Sequence, residues 1–589
     1  MNLITLAFRN IKLNRKKYIM YLFSMGFSVF TVYTFLALMQ NETVMMAFEY
    51  DTRYRSLLTS FGVIILVFVL FFLISSNNSF IRARKKEIST YALFGMTNLK
   101  IGKLLFLETI IAGCGTLAVG IGAGIFFSKL MAMFLLDLTL SNFIGDVAFI
   151  IDSTAIYKTA LLFIIIFCFM GFSGLRVIYK FELVDLFKAE KVAEGRYKGS
   201  ILVLILSLLL IGTGYLMAFS QNLMIVVYGA IPILILVISG TYLFFWGGMP
   251  KVLSLIKRNK SIYYQGVNLV STSSVSHRMK SIASIMATIA VLSAVATTAI
   301  ATGFTLYSNA EKNTYRNTGF DLAYHSSDQT LKEQIHEAIE DNMGKIEGET
   351  TVDLYETYPK IKTIMVAGVE HLTPEDYFRV YPESTYNQLI SKSKTNLEAV
   401  KIPSGESLYI YPYSPNEIEE VMIGQEFDFS RQSIRVTSLL RSGIGGFGLD
   451  HILILDDKDF ENFIASNEIV PTQFEGKNET ATVINYKDSL NSKPLNTAIE
   501  TILNGKAAGY RTAYNLYNES MLSFGLICFI GFFMSGVFIL MTASLLYFKQ
   551  VMAAEEEHHQ YRMLRRIGMT DSMERQVIKK RLLPVFFIP

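Results

Sequence analysis

The sequence predicts a polytopic α-helical membrane protein carrying one α+β domain outside the bilayer. Three observations carry this: eight apolar runs of membrane-crossing length, positive charge confined to alternate loops, and one acidic stretch of about 210 residues without such a run. Of the 589 residues 51% are apolar and only 18% charged, with mean hydropathy +0.36. Ordinary soluble domains are about a quarter charged, so a soluble enzyme is excluded. Cys114, Cys168 and Cys528 all fall inside apolar runs and read as small core fillers, with no disulfide framework and no Cys-rich zinc site.

A hydrocarbon core about 30 Å thick takes about 20 apolar residues in a helix. Such runs are Tyr18–Met39, Leu57–Ser76, Leu104–Ser128, Ala155–Leu175, Ile201–Ala218, Met224–Trp246, Ile282–Tyr307 and Met521–Phe548, and a ninth starts at Leu582. The first is too long for a signal peptide and is not closed by a small-residue cleavage site. Basic residues precede the first span (Arg9, Lys12, Arg15, Lys16, Lys17) and fill every even-numbered loop, whereas the third loop, Asp137–Ser153, has none. Cytosolic loops are the ones enriched in Lys and Arg, which places the N-terminus in the cytosol.

The stretch 308–518 then lies outside. It holds about 19 Lys and Arg against about 32 Asp and Glu, near −13, which leaves near +17 for the rest of a chain whose total is +4. Helix-like segments (Leu331–Asn342, Asp457–Ala465, Asn496–Leu503) alternate with strand-like ones (Thr351–Tyr355, Ile361–Val366, Ser433–Leu440, His451–Leu455). A segment this long can bury its own core, so it reads as a folded α+β domain.

The loop after span two, RARKKEISTYALFGMTNLKIGKLL, and the region after span eight, EEEHHQYRMLRRIGMTDSMERQVI, align at an offset of 473 on Gly95-Met96-Thr97 and Gly568-Met569-Thr570. The chain start, NLITLAFRNIK, resembles the approach to span seven, NLVSTSSVSHR, at an offset of 266. The two offsets differ by about the length of the acidic domain. One four-span module used twice explains this, with the domain inserted after the first span of the second copy and spans five and six as an extra pair. Both copies then point the same way, as in parallel transporter repeats. The expected organisation is a first module at 1–175, then a cytosolic linker, extra span pair and cytosolic loop at 176–260. An amphipathic approach and span seven occupy 261–307, the external domain 308–518, and span eight, the second loop and the start of span nine 519–589. A second module as long as the first would run roughly 60 residues further, with ten spans in all.

No Walker loop is present: Gly102-Lys103, Gly344-Lys345, Gly476-Lys477 and Gly505-Lys506 are each followed by the wrong residue. If ATP drives this protein, another chain hydrolyses it. Adjacent helix residues do not face one another, so Glu555, Glu556, Glu557, His558 and His559 read as a solvated surface rather than a metal cluster. The glycines of span three (Gly113, Gly115, Gly120, Gly122, Gly124) read as close helix packing. In the run Arg441-Ser442-Gly443-Ile444-Gly445-Gly446-Phe447-Gly448, successive glycines could turn N–H groups toward an anion beside Arg441. An ordinary hairpin is the alternative. Glu108 and Lys158 stand near span ends, where side chains can snorkel, and the repeat sets Glu108 opposite Arg581 as a pseudosymmetric ion pair.

The basic start LAFRNIKLNRKKYIMYLFSMGFS, the KKEISTYALFGMT loop, the segment SHRMKSIASIMATIAVLSAVATTA and the large domain before span eight resemble the FtsX-like permeases. Within these, ten spans with the domain between spans seven and eight resemble the Bce-type permeases of ABC transporters for bacitracin export and peptide resistance in Gram-positive bacteria. The resemblance implies a plasma-membrane permease without catalytic or metal site or cofactor of its own. Two copies of a separate ATPase subunit would hold ATP and Mg, and a sensor histidine kinase would be a further partner. The ligand it implies is an envelope-active peptide antibiotic, alone or with an undecaprenyl-pyrophosphate-type lipid; a lipid pyrophosphate is what the anion-binding reading of Arg441, Gly443, Gly445 and Gly446 would hold. No nucleic acid is implied. By the same resemblance Glu87, Ser89, Tyr91, Leu93, Gly95, Met96 and Thr97 form one ATPase-coupling element, and Tyr561, Leu564, Arg565, Gly568, Met569 and Thr570 the other. The alternative functions are signalling, wall-hydrolase activation and lipoprotein release.

Overall fold

A computed structural model describes the chain apart from residues 1–2, 49–51, 140–150, 181–198, 221–222, 259–268, 270–278, 343, 367–368, 374, 412–415, 430, 445–450, 468, 470–472, 475–476, 479, 508 and 588–589. An amphipathic helix α1 (Leu3–Leu13) precedes α2 (Arg15–Met39). Then come α3 (Thr52–Ala83), a short α4 (Lys85–Leu93), α5 (Asn98–Thr139) and α6 (Ser153–Lys180). The extra pair is α7 (Ile201–Ala218) and α8 (Leu223–Leu243), followed by α9 (Met279–Ser308). Among the described residues eight helices are long and apolar enough to cross a membrane, and they coincide with the eight sequence runs.

Small residues bring these helices together. A Cβ on Gly120 would lie 2.7 Å from the Gly26 carbonyl of α2, one on Gly124 would strike Tyr33, and one on Gly113 would strike Phe167 of α6, while Gly115 and Gly122 face open space. Helix packing therefore accounts for Gly113, Gly120 and Gly124 of the series. Along α2, Ser24, Ser28 and Thr31 are buried and donate to carbonyls one turn back, and Ser24 Oγ also meets Ser544 Oγ (2.8 Å). The extra pair meets α9 through Tyr242 and Thr288 (3.0 Å), and just past α8 Phe245 and Met249 pack on Ala283, Met286 and Ala287.

The domain is joined to the spans by two short connections. After α9 the chain continues through Asn309 into α10 (Ala310–Thr318) and enters strand β1 (Leu322–His325). It then forms α11 (Gln329–Asp341), β2 (Ile346–Asp353), β3 (Glu356–Thr357), β4 (Phe378–Pro382), α12 (Glu383–Lys392) and β5 (Ser407–Ile410). After β6 (Ser438–Leu440) and β7 (His451–Leu455) come α13 (Asp457–Asn467), β8 (Thr480–Tyr486), α14 (Lys493–Leu503) and β9 (Gly509–Thr512). One sheet has the antiparallel order β9-β1-β8-β2, the other the mixed order β6-β5-β7-β4-β3.

Alternation decides the layers. Leu322, Tyr324, Ile484 and Tyr486 of the first sheet face Leu331, Ile335, Leu495 and Ile499 of α11 and α14. Ala323, Ala481 and Val483 face the other way, onto α12 and onto Ile410, Ile452 and Ile454 of the second sheet. That sheet sends Phe378, Val380, Tyr409 and Leu453 to its far side, under Phe460 and Phe463 of α13. The apolar run Ile452–Leu455 of β7 is thus covered on both faces. The expected strand Ser433–Leu440 is two strands, because Thr437 N–H turns to the Ser407 carbonyl (3.1 Å) and moves the chain into the second sheet. Only Ile364–Val366 of the expected Ile361–Val366 is a strand.

From β9 the chain passes directly into α15 (Ala513–Arg566), 54 residues without a break, and after a turn into α16 (Asp571–Phe587). At 1.5 Å per residue α15 is about 80 Å long, far more than a bilayer core. It clasps α9: a Cβ on Gly531 would lie 2.6 Å from the Ala299 carbonyl, one on Gly303 would lie 2.6 Å from Cys528 Cα, and Ser535 Oγ donates to the Ala296 carbonyl (2.7 Å).

Candidate functional site: two elbows and the joint below the domain

Two elbows lie at the helix ends remote from the domain. At the first, Gly95 takes φ +85°; at the second, Gly568 takes φ +106°, a left-handed conformation that glycine adopts without a Cβ clash. Gly95 N–H donates to the Ala92 carbonyl and Met96 N–H to Tyr91, as Gly568 does to Arg565 and Met569 to Leu564, all at 3.1 Å. Thr97 Oγ1 accepts from Lys100 N–H and Thr570 Oγ1 from Met573 N–H, both at 3.4 Å, opening the next helix. Each of these six donors and acceptors pairs alike at the 473-residue offset, although the tip N–H differs, Phe94 donating to the Thr90 carbonyl and Ile567 to Leu564. The repeat is therefore structural.

α3 and α15 also run parallel: the Tyr54 hydroxyl meets Ser523 (3.5 Å) near their domain ends, and Phe68 packs edge-on to Phe538 further along. Both elbows consequently occupy one side. Each thrusts a large apolar side chain outward at its tip, Phe94 (83% exposed) and Ile567 (79%), which are themselves 473 apart. Outside a bilayer such tips fit a complementary groove on a partner.

The elbows differ in what braces them. Ile88 and Met96 pack on Ile81, Ile101 and Leu105 in the first. In the second, Arg565 stands where Ala92 is and grips Glu574 (2.6 Å) and Asp571 (3.3 Å). Arg565 thus holds its own turn.

Of the residues expected to couple, Leu93, Gly95, Thr97, Arg565, Gly568 and Thr570 are exposed; Met96, Tyr561, Leu564 and Met569 are half-buried. Glu87, Ser89 and Tyr91 turn inward instead. Glu87 Oε2 accepts from Arg84 Nε (3.0 Å) and Asn14 Nδ2 (3.4 Å), Ser89 is buried, and the Tyr91 hydroxyl donates to Asn10 Oδ1 (3.0 Å). Phe94 and Ile567, which sequence reasoning left out of the coupling residues, are the most exposed apolar side chains of the two elbows, and their equal place in both copies is the signal that could have found them.

The inward residues end at a buried ion pair. The Arg84 guanidinium lies on the Glu108 carboxylate, donates to the Tyr18 hydroxyl (2.7 Å) and stacks near the rings of Tyr18 and Phe80. Asn10 Nδ2 donates to Glu108 Oε1 (2.8 Å). Glu108, 1% exposed, therefore does not snorkel. Its described ionic partner is Arg84; the side chain of Arg581, its expected counterpart, lies outside the described residues.

At the other end, Asp321 closes the joint between spans and domain. It is buried, and Tyr315 of α10 and Ser489 donate to Oδ1 (2.8 and 2.6 Å) while Tyr486 N–H and Lys394 Nζ reach Oδ2 (2.8 and 2.7 Å). Its carbonyl accepts from Ala513 N–H (2.8 Å), the first residue of α15. Burial, then the neighbouring Asp321 carboxylate, raise the Tyr315 pKa, so its hydroxyl keeps its proton as donor.

The glycine run lies beside this joint. Gly443 N–H donates to the Arg316 carbonyl of α10 (3.0 Å), and a Cβ there would overlap Asn317 O at 1.8 Å; Arg441 reaches Glu419 (3.5 Å). Gly443 therefore seats the loop on α10 with its N–H committed. Gly445 and Gly446 lie outside the described residues.

Repeated elbows, a helical bundle with close-packed glycines and a domain carried between two spans define a multi-pass membrane protein. Residues 59–183, which include the first elbow, match the family described as FtsX-like permease C-terminal. The whole chain is 25% identical to the uncharacterized ABC transporter permease YvcS of Bacillus subtilis and 24% identical to the bacitracin export permease protein BceB of the same organism, spanning 91% of each. It is 26% identical to the ABC transporter permease protein YxdM of B. subtilis, again over 91% of that protein. The chain is an ABC transporter permease with an FtsX-like domain, similar throughout to Bce-type permeases.

Proposed function

We propose that this permease protects the cell against envelope-active peptide antibiotics by passing force from a separate ATPase dimer to its outer domain. Supporting the reading is the pair of matched elbows with Phe94 and Ile567 at their tips, one of them on a helix that runs unbroken from β9 to Arg566. The basic loops put the elbows in the cytosol and the domain outside. Closure of the ATPase dimer displaces both elbows; α15, clasped to α9, carries the displacement as a rod; the Asp321 joint turns it into a movement of the domain over its ligand. An acidic domain attracts cationic peptides over a Debye length of about 8 Å. Relatives named as bacitracin export permeases support the ligand class, and a sensor histidine kinase would report the same movement.

Deleting the gene tests this, with peptide sensitivity, kinase-reporter output and chain morphology measured together. Peptide sensitivity that rises on deletion and is restored by the wild-type gene, but not by Phe94→Asp with Ile567→Asp, is the expected result. Unchanged sensitivity with altered morphology would contradict it.

A further inference from the structure

We propose that the cleft between α1 and the first turns of α2 is a binding site for an anionic glycerophospholipid of the adjoining leaflet. The cleft encloses about 630 Å³ and is walled by Phe8, Ile11, Ile19 and Leu22, with Arg9 and Lys12 on the same α1 flank. Phe8 and Ile19 are 58% and 60% exposed, so the apolar wall is open to an acyl chain. Among the described residues neither Arg9 nor Lys12 makes an ion pair or hydrogen bond, and a phosphate diester would supply the missing charge.

The orientation of α1 is fixed from behind. Ala7 and Asn10 are buried, Asn10 donates to Glu108, and Asn14 Nδ2 reaches Glu87, which turns the opposite flank with its two cations outward. An amphipathic helix of this kind lies in the interface plane. Chains in the cleft and headgroup on the cations match a lipid in both parts, whereas a free anion would leave the apolar wall uncovered. Because α1 and the first elbow share the Asn10–Glu108–Arg84 network, lipid occupancy would also brace that elbow.

The test is native mass spectrometry of the full chain released from nanodiscs containing equal phosphatidylglycerol and phosphatidylcholine. The wild type should retain phosphatidylglycerol preferentially. Arg9→Gln and Lys12→Gln, on exposed side chains without described partners, should each weaken retention roughly fivefold, the factor that ~1 kcal/mol per basic residue near an anionic surface represents. The pair together should lose about 25-fold, and Ile19→Ser should weaken both lipids alike. Equal retention of the two lipids, unchanged retention in the double variant, or displacement by inorganic phosphate or sn-glycerol 3-phosphate as readily as by lipid would overturn the proposal. So would a cleft that holds no lipid and is shielded only when the ATPase subunit is added.

Discussion

The Tyr315 hydroxyl donates to Asp321 Oδ1 at 2.8 Å, and through this bond the helix that continues span seven grips the strand that begins the domain. The same carboxylate takes Lys394 from the loop after α12, and the same residue's carbonyl takes Ala513 at the start of span eight. Both spans and the domain's interior thus meet on one residue.

Replacing Asp321 by Ala should therefore loosen the domain from its spans. It strands Tyr315, Ser489 and Tyr486 N–H inside the protein and leaves Lys394 without its closest anion, at a cost of ~3–5 kcal/mol for a broken buried pair. Tyr315→Phe removes one hydrogen bond to a charged group, ~1.5–3 kcal/mol. Protease cleavage at the α10–β1 junction, timed on the full-length protein, should accelerate strongly for the first and modestly for the second.

Glu108→Gln and Arg84→Met should each destabilise the bundle by ~3–5 kcal/mol, because each leaves one buried charge unmatched. The joint replacement Arg84→Met with Glu108→Leu should recover most of that loss, since no charge is then left in the interior. Thermal unfolding in detergent distinguishes the three. Equal loss in single and joint variants would mean that shape, and not charge balance, governs the site.

Burial lowers the His371 pKa below its usual 6.5, with Asp376 opposing. The unfolded chain then takes up a proton before the folded one, so stability is full above pH 6.5 and is lost as pH falls through the lower folded value. Tyr409, whose hydroxyl stands 3.4 Å from His371 Nε2 and 2.5 Å from His451 Nδ1, ties this residue to the second sheet. The domain's melting temperature should drop between pH 6.5 and 5, and His371→Gln should flatten that dependence.

Span positions are legible in the sequence because a bilayer demands length and apolarity of each segment separately. The elbow turns are legible for a similar local reason: only glycine takes φ near +85° or +106° cheaply, so Gly95 and Gly568 mark the turns by themselves. The Arg84–Glu108 pair is not. Arg84 stands among Arg82, Lys85 and Lys86 and reads as one more solvated loop charge; only the fold of α3 against α5 shows it drawn inside. Asp321 is hidden for the same reason, since its partners Tyr315, Lys394 and Ser489 are scattered over the domain sequence. The run around Gly443 reads either as an anion cradle or as an ordinary hairpin, because glycine spacing does not tell a nest from a close approach, and at Gly443 Asn317 makes the approach.

Co-purification of the ATPase subunit with elbow variants tests the central claim most directly. Burying a Phe or Ile side chain in a partner's groove is worth ~1.5–3 kcal/mol. Phe94→Asp and Ile567→Asp should each weaken ATPase binding roughly ten- to hundredfold, and the double variant should abolish it while the bundle still folds. Retention of the ATPase at wild-type level by the folded double variant would contradict the account.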